Sequence, residues 1–182
     1  MDLRNRRRLQ ALLIAAIFAA PVIVAMVLTM SGWVPHGRSY GQPIRPERDL
    51  AAVSVRLADG QSFAWSNHDA VWTLVALPGP DCAEHCLRQL DLAHRAQITL
   101  GKSADKLRML YLGDPPQAVT AQGFAKVWTP ATTASHVLDD LHARARDAVN
   151  LVLVTPDGKA LTRYPANFDA ERLRQDLKKA VH

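Results

Sequence analysis

Residues 71–86 read Val-Trp-Thr-Leu-Val-Ala-Leu-Pro-Gly-Pro-Asp-Cys-Ala-Glu-His-Cys, and this stretch decides the predicted fold. Its first part, 71–77, is a continuous apolar run, which is typical of a buried central strand. The Pro-Gly-Pro sequence at 78–80 ends that strand. Asp81 is then a predicted helix N-cap, and Glu84, three residues later, completes a capping box. The stretch therefore predicts a buried strand that leads directly into a helix.

The segments on either side continue this alternation of strands and helices. Upstream, apolar and polar residues alternate over 53–57, and Asp59-Gly60 predicts a hairpin turn into a returning strand at 61–65. Parallel strands joined by helices, then an antiparallel hairpin and a closing helix, predict a thioredoxin-like α/β sandwich with an N-terminal β-hairpin. The downstream elements of this prediction are a strand at 107–112, helices at 120–128 and 135–146, strands at 149–154 and 160–164, and a helix capped by Asp169.

An apolar segment near the N-terminus predicts one transmembrane helix. Residues 9–30 contain no charged residue, and only Gln10 and Thr29 among them are polar. As a helix this segment is roughly 33 Å long, which is enough to cross a bilayer core. A cleaved signal peptide is the competing interpretation, but its apolar stretch is about 7–15 residues long and ends in a small-x-small site. This segment is longer and ends in Leu-Thr-Met, so we predict an uncleaved anchor.

The charge distribution predicts the orientation of this anchor. Residues 1–8 carry a net charge of +3, so the rest of the chain carries only +2 of the total of +5. By the positive-inside rule the N-terminus is cytoplasmic, and in the inner membrane of a bacterium the C-terminal domain then faces the periplasm. The nearly neutral remainder does not support a nucleic-acid partner. The predicted organisation is a basic cytoplasmic N-terminus (1–8), a transmembrane helix (9–30), a linker (31–49) and one domain (50–182).

Cys82 and Cys86 are the only cysteines of the chain and lie at the start of the predicted helix. Residues at i and i+4 of a helix have β-carbons about 5–6 Å apart, which allows the pair to hold one soft metal ion or to form a disulfide. The helix N-terminus stabilises negative charge, which predicts that Cys82 is the more nucleophilic thiol. The alternative interpretation is a pair of buried structural cysteines.

Two segments of the chain resemble the Sco/SenC family. Residues 72–86 are similar to that family's cysteine segment, and residues 151–165, Leu-Val-Leu-Val-Thr-Pro-Asp-Gly-Lys-Ala-Leu-Thr-Arg-Tyr-Pro, look like its closing hairpin. Sco proteins are membrane-anchored thioredoxin-like proteins that bind copper and help to assemble the CuA centre of cytochrome c oxidase. The resemblance, which extends over residues 50–180, is greatest to a divergent bacterial branch described as cytochrome oxidase associated transmembrane proteins. It implies Cu(I) as a cofactor, and oxidase subunits or copper chaperones as partners.

Two departures from the Sco pattern concern the metal site. Leu87 follows the second cysteine, where Sco proteins have proline. Their third copper ligand is a histidine, and counting back from Pro156 places Asp147 at its position. The resemblance therefore carries over both cysteines but not the histidine. Among the seven histidines of the chain, His136 and His85 are the candidates for a substitute ligand.

These features are compatible with three functions. The first is a membrane-anchored periplasmic factor that assists cytochrome c oxidase assembly through Cys82 and Cys86, by Cu(I) handling or by thiol reduction. The second is a thiol–disulfide oxidoreductase for other envelope proteins. Against it, such enzymes usually have a Cys-x-x-Cys pair and a cis-proline before the facing strand, where this chain has Ala148. The third is a non-catalytic scaffold in which the two cysteines form a structural disulfide.

Overall fold

The computed structural model describes residues 3–30, 39–117 and 119–181, and it describes 3–12, 15, 25, 28, 29, 121 and 122 by their backbone only. Helix α1, Leu3–Met30, belongs to one compact unit, and every other element belongs to a second unit that begins at Ser39. Within the described residues, no helix combines the length and the apolar character that crossing a membrane requires.

The second unit is built on a single sheet of seven strands. The strands are β1 Gln42–Asp49, β2 Val55–Leu57, β3 Trp72–Pro78, β4 Leu107–Leu112, β5 Thr129–Thr133, β6 Val149–Val154 and β7 Lys159–Tyr164. The helices are α2 Glu84–Ile98, α3 Ala121–Ala125 and α4 Ala170–Ala180, with 3-10 turns at Gly101–Lys106 and His136–Leu141. The strand order is β1-β7-β6-β3-β4-β5-β2. β3, β4 and β5 run parallel to one another, and all the other neighbouring strands are antiparallel.

Strand β3 lies at the centre of the sheet, and its side chains are buried on both faces. Leu74 and Ala76 belong to a core cluster that includes residues of α2 and α4, whereas Val75 and Leu77 belong to a second cluster. This division follows from the two-residue period of a strand, which directs successive side chains to opposite faces. The predicted buried central strand and the mixed α/β architecture are therefore confirmed.

Residues 42–49 form an edge strand of the sheet, which corrects the prediction of a linker over 31–49. β1 pairs antiparallel with β7, and its register is interrupted between Pro43 and Arg48. A strand with prolines is tolerated at the edge of a sheet, because proline has no N–H to donate to a second neighbour. Residues 1, 2 and 31–38 of the predicted N-terminal segment and linker lie outside the described residues.

The predicted N-terminal hairpin is present in a reduced form. β2 covers Val55–Leu57, and the returning chain makes one isolated bridge, between Arg56 and Ser62. The returning strand predicted at 61–65 does not extend to Trp65. The ring of Trp65 is instead buried, and its Nε1 donates to the carbonyl of Val53 at 2.9 Å. β2 pairs with β5, at the edge of the sheet opposite to β1.

Two predicted helices are shorter than expected. The helix predicted at 120–128 is only the five-residue α3, because Trp128 is already buried in the core and β5 follows it directly. The helix predicted at 135–146 is a 3-10 turn, His136–Leu141, that buries Leu138 and Leu141. The irregular backbone that follows this turn leads into β6 and lies beside the segment that precedes the two cysteines.

Candidate redox site

Cys82 and Cys86 form a disulfide, with Cα atoms 5.1 Å apart. Cys86 lies in the first turn of α2 and is fully buried, at 0% exposure. Cys82 precedes the helix and is half-buried. Cys82 is therefore the member of the pair that another protein can reach.

Asp81 does not cap α2, which corrects the predicted capping box. The helix begins at Glu84, and its N-cap residue, Ala83, makes no side-chain capping hydrogen bond. The Asp81 carboxylate instead accepts from Nε of Arg146 at 2.8 Å, and its carbonyl accepts from the backbone N–H of Asp147 at 2.9 Å. Cys82 consequently lies before the helix rather than in its first turn.

Asp147, from the segment before β6, supplies the cap that Asp81 does not. Its Oδ1 accepts from the backbone N–H groups of Ala83 at 2.8 Å and of Cys86 at 2.9 Å. Its Oδ2 accepts from the N–H of His85 at 2.9 Å. The hydrogen bond from Cys86, followed by those from His85 and Ala83, holds the pKa of the Asp147 carboxyl below its usual range. A negative charge is thus fixed at the start of α2.

The segment 143–148 is held close to the connection between β3 and α2. The backbone N–H of Gly79 donates to the carbonyl of Ala148 at 2.8 Å, and the N–H of Ala143 donates to the carbonyl of Leu77 at 3.3 Å. A β-carbon at Gly79 would lie 2.2 Å from the carbonyl oxygen of Ala145, so only glycine allows this approach. The close approach brings Asp147 within reach of the first turn of α2.

The two candidate histidines have separate places in the structure. Nδ1 of His85 lies 3.0 Å from the carbonyl oxygen of Asp147, and because a carbonyl only accepts, Nδ1 carries the proton in this contact. His136 is exposed, and its Nδ1 lies 2.6 Å from Oδ2 of Asp139. His136 lines a different cavity from the one that Cys82 lines. Within the described part of the chain, no group of three or more His, Cys, Asp or Glu residues is placed to hold a metal ion.

A groove of about 600 Å³ lies beside Cys82. Its walls are residues 78–83, residues 111–117 and His142. Nδ1 of His142 donates to the carbonyl of Pro78 at 2.8 Å, so its Nε2 is the acceptor of the neutral ring. Tyr111, in β4, is fully buried where it lines the groove. Burial, with a smaller effect of Asp114, raises the pKa of its hydroxyl to about 12. Its volume is within the range of ligand-binding clefts, and it opens next to the accessible cysteine.

The residues that surround the two cysteines have no clear signal in the sequence. The sequence marks Asp147 only as the position of an absent histidine, and its role as a cap joins residues 61 positions apart. A capping residue so distant from its helix leaves no local signal in the sequence. His142 was one of several histidines, and the sequence offered no reason to prefer it.

The family comparison matches residues 72–181, more than half of the chain, to the family described as "Transmembrane-like, thioredoxin-like, C-terminal domain". Among curated protein sequences, none matches this chain.

Several solved structures share the fold. Arabidopsis thaliana ScoI with copper bound has 15% sequence identity and a TM-score of 0.52, over 78% of this chain and 97% of that chain. Yeast Sco1 with copper bound has 15% identity and a TM-score of 0.52, over 80% of this chain and 94% of that chain. A SCO1/SenC family lipoprotein from Bacillus anthracis str. Ames has 17% identity and a TM-score of 0.51, over 76% of this chain and 99% of that chain.

These similarities show that the domain has the thioredoxin-like fold of Sco proteins. The matched family region begins with β3, includes the cysteine pair and ends after α4. The chain therefore belongs to the family of transmembrane-like proteins with a thioredoxin-like C-terminal domain.

Proposed function

We propose that this chain is a membrane-anchored thiol–disulfide exchange factor that assists the assembly of cytochrome c oxidase in the bacterial periplasm. The observation that carries the proposal is the arrangement of the cysteine pair. Cys82 is accessible beside a groove of about 600 Å³, and Cys86 is buried behind it in the first turn of α2. An accessible cysteine that attacks and a buried cysteine that resolves are the two parts that disulfide exchange requires.

The proposed reaction is the reduction of a client disulfide. The Cys82 thiolate attacks one client sulfur, a bond between Cys82 and the client forms, and the client disulfide breaks to release a thiolate that takes up a proton. The Cys86 thiolate then attacks the sulfur of Cys82, and the second client sulfur leaves as a thiol. Two electrons and two protons pass to the client, and a dithiol donor of the envelope reduces the pair again.

The resemblance to Sco/SenC proteins supports an oxidase subunit or a copper chaperone as the client. The ligand form of cysteine is the thiolate, so a cysteine-containing copper site has to be reduced before the metal binds. A reductase that acts at this step needs no metal of its own. This makes thiol reduction the version of the assembly role that fits the described residues.

The proposed anchor is residues 9–30, with the N-terminus in the cytoplasm and the domain in the periplasm. The absence of charged residues from this segment and the four arginines before it support this placement. Large apolar side chains of α1 are exposed, for example Ile17 at 62% and Phe18 at 75%, which is unfavourable in water and favourable in lipid. The tether would keep Cys82 close to membrane-bound clients.

Handling of Cu(I) as cargo is a second candidate function, which the two copper-bound Sco structures favour. Reduced Cys82 and Cys86 would supply two soft thiolates. A third ligand is less suitable here, because Asp147 stands by count where Sco proteins have their ligand histidine. Its carboxylate offers hard oxygens to a soft ion, and these oxygens already accept hydrogen bonds from three N–H groups. Anaerobic competition for Cu(I) by the reduced protein tests this function, and failure to bind excludes it.

The exchange function predicts a disulfide that a thiol buffer can open. The full chain in detergent is expected to equilibrate with reduced and oxidised glutathione at ratios that leave both forms of the pair measurable by mass spectrometry. In cells that lack the wild-type protein, Cys82→Ser combined with Cys86→Ser is expected to abolish support of oxidase assembly at unchanged protein level. Two results together would contradict the proposal. The first is a pair that stays oxidised down to potentials below about −300 mV, as structural disulfides do, and the second is a double variant that still supports assembly.

A further inference from the structure

The first turn of α2 contains the hydrogen-bond donors that would normally stabilise a thiolate in this position. The N–H groups at a helix N-terminus point away from the helix, carry partial positive charge and lower the pKa of a nearby cysteine. Those of His85 and Cys86 follow Cys82 by three and four residues. Both of them donate to the carboxylate of Asp147, at 2.9 Å in each case.

The position of Asp147 is determined by its own backbone as well as by its side chain. Its N–H donates to the carbonyl of Asp81 at 2.9 Å, and its carbonyl accepts from Nδ1 of His85 at 3.0 Å. Its φ angle is 52°, a left-handed conformation that aspartate adopts more readily than most residues. The carboxylate is therefore held at the helix start from two sides, and it is not a mobile surface group.

A carboxylate in this place acts against a thiolate in two ways. It occupies N–H groups that a thiolate of Cys82 would otherwise use, and it adds a negative charge that repels a second one. The ion pair between Asp81 and Arg146 places a positive charge nearby, but the guanidinium is directed to Asp81. The reduced form of the pair consequently receives less stabilisation than it would at an open helix N-terminus, whereas the disulfide carries no charge and loses little.

We propose that Asp147 is a positioning residue that lowers the reduction potential of the Cys82–Cys86 pair, because it holds a negative charge on the helix N–H groups that would otherwise stabilise a thiolate. The inference rests on the proposed exchange function and specifies the direction of electron transfer, from the pair to the client. A pair with a low potential donates electrons to client disulfides and does not oxidise client thiols. The histidine that Sco proteins have by count at this position is thus replaced by a residue that favours reduction of clients.

The test compares wild-type full chain in detergent with Asp147→Asn, which keeps the shape of the side chain and removes its charge. The fraction of reduced pair is measured against glutathione ratios, and the alkylation rate of Cys82 is measured against pH. Asp147→Asn is expected to shift the equilibrium at least tenfold toward the reduced form, which corresponds to a potential about 30 mV higher. Its alkylation profile is expected to move to lower pH. Asp147→Ser, a neutral residue that caps helices well, is expected to shift both in the same direction if the asparagine variant does not fold.

Asp157→Asn is the matched control, because it removes the charge of one carboxylate outside the cysteine site. Asp157 lies in the turn between β6 and β7, where its carboxylate accepts from the hydroxyl of Thr155. This control is expected to leave the equilibrium unchanged. If wild-type protein exchanges with glutathione and the neutral Asp147 variants stay within twofold of it, the inference about Asp147 is overturned and the proposed function stands. If wild-type protein does not exchange at all, the proposed function fails and the inference fails with it.

Discussion

Asp176→Ala is expected to lower the free energy of unfolding by about 3–5 kcal/mol, because it removes a buried carboxylate that accepts three hydrogen bonds, one of them from the buried N–H of Gly41. Asp176 is only 6% exposed. Its Oδ2 accepts from Oγ of Ser39 at 2.9 Å and from the backbone N–H groups of Tyr40 at 2.6 Å and Gly41 at 3.0 Å. These bonds tie the start of the domain to α4. Hydrogen bonds to a charged acceptor contribute about 1.5–3 kcal/mol each, but those that share one oxygen are not additive.

Urea unfolding of the full chain in detergent, followed by the fluorescence of the buried Trp65 and Trp128, measures this change. Glu171→Ala is the control on the same helix, since Glu171 is an exposed carboxylate that pairs with Arg174. The control is expected to have an effect several-fold smaller, as exposed ion pairs contribute little. Equal effects of the two substitutions would show that the contacts of Asp176 with residues 39–41 do not stabilise the domain.

Reduced Cys82 is expected to react with iodoacetamide at least 100-fold faster than reduced Cys86. The reason is access, because Cys86 is fully buried in the first turn of α2 while Cys82 is half-buried beside the groove. A buried thiol reacts only when the structure opens locally, and such openings in a packed core are rare. Peptide mapping of the full chain at successive times after reduction gives the two rates separately.

The variants Cys82→Ser and Cys86→Ser provide the matched controls for this measurement. The protein that retains only Cys82 is expected to be alkylated at the fast rate, and the protein that retains only Cys86 at the slow rate. Similar rates for the two cysteines, or a faster Cys86, would contradict the assignment of Cys82 as the attacking residue. The same samples in urea should react equally fast at both positions, which shows that the difference comes from the fold.

The elements that bury many apolar residues could be predicted from the sequence. The strand predicted at 71–77 is Trp72–Pro78, and those predicted at 107–112 and 149–154 have the predicted bounds in the structure. Continuous apolar runs of this length are typical of strands that are buried on both faces, in the middle of a sheet. The predicted cap of α4 is also confirmed, since Asp169 accepts from the N–H of Arg172 at 2.8 Å. A local capping signal works here because cap and donor are three residues apart.

Elements that depend on distant partners could not be predicted in this way. β1 contains two prolines and becomes a strand only through its pairing with β7, more than 100 residues later. The sequence around Asp81 matches the pattern of a capping box, but it is the Asp147 carboxylate that accepts from the N–H groups at the start of α2. The two cysteines were found because their spacing is local. The residue that we expect to adjust their chemistry was not, because its contacts are made only in the folded chain.

The mixed disulfide between Cys82 and a client is the intermediate that disulfide exchange through Cys82 requires. Full-length Cys86→Ser, reduced and then incubated with a disulfide-bonded peptide from a copper-binding oxidase subunit, is measured by intact mass and peptide mapping. Disulfide exchange through Cys82 predicts a stable complex in which the peptide is bonded to Cys82, and no such complex with Cys82→Ser. Absence of the complex with Cys86→Ser, or an equal yield of complex with Cys82→Ser, would contradict disulfide exchange through Cys82.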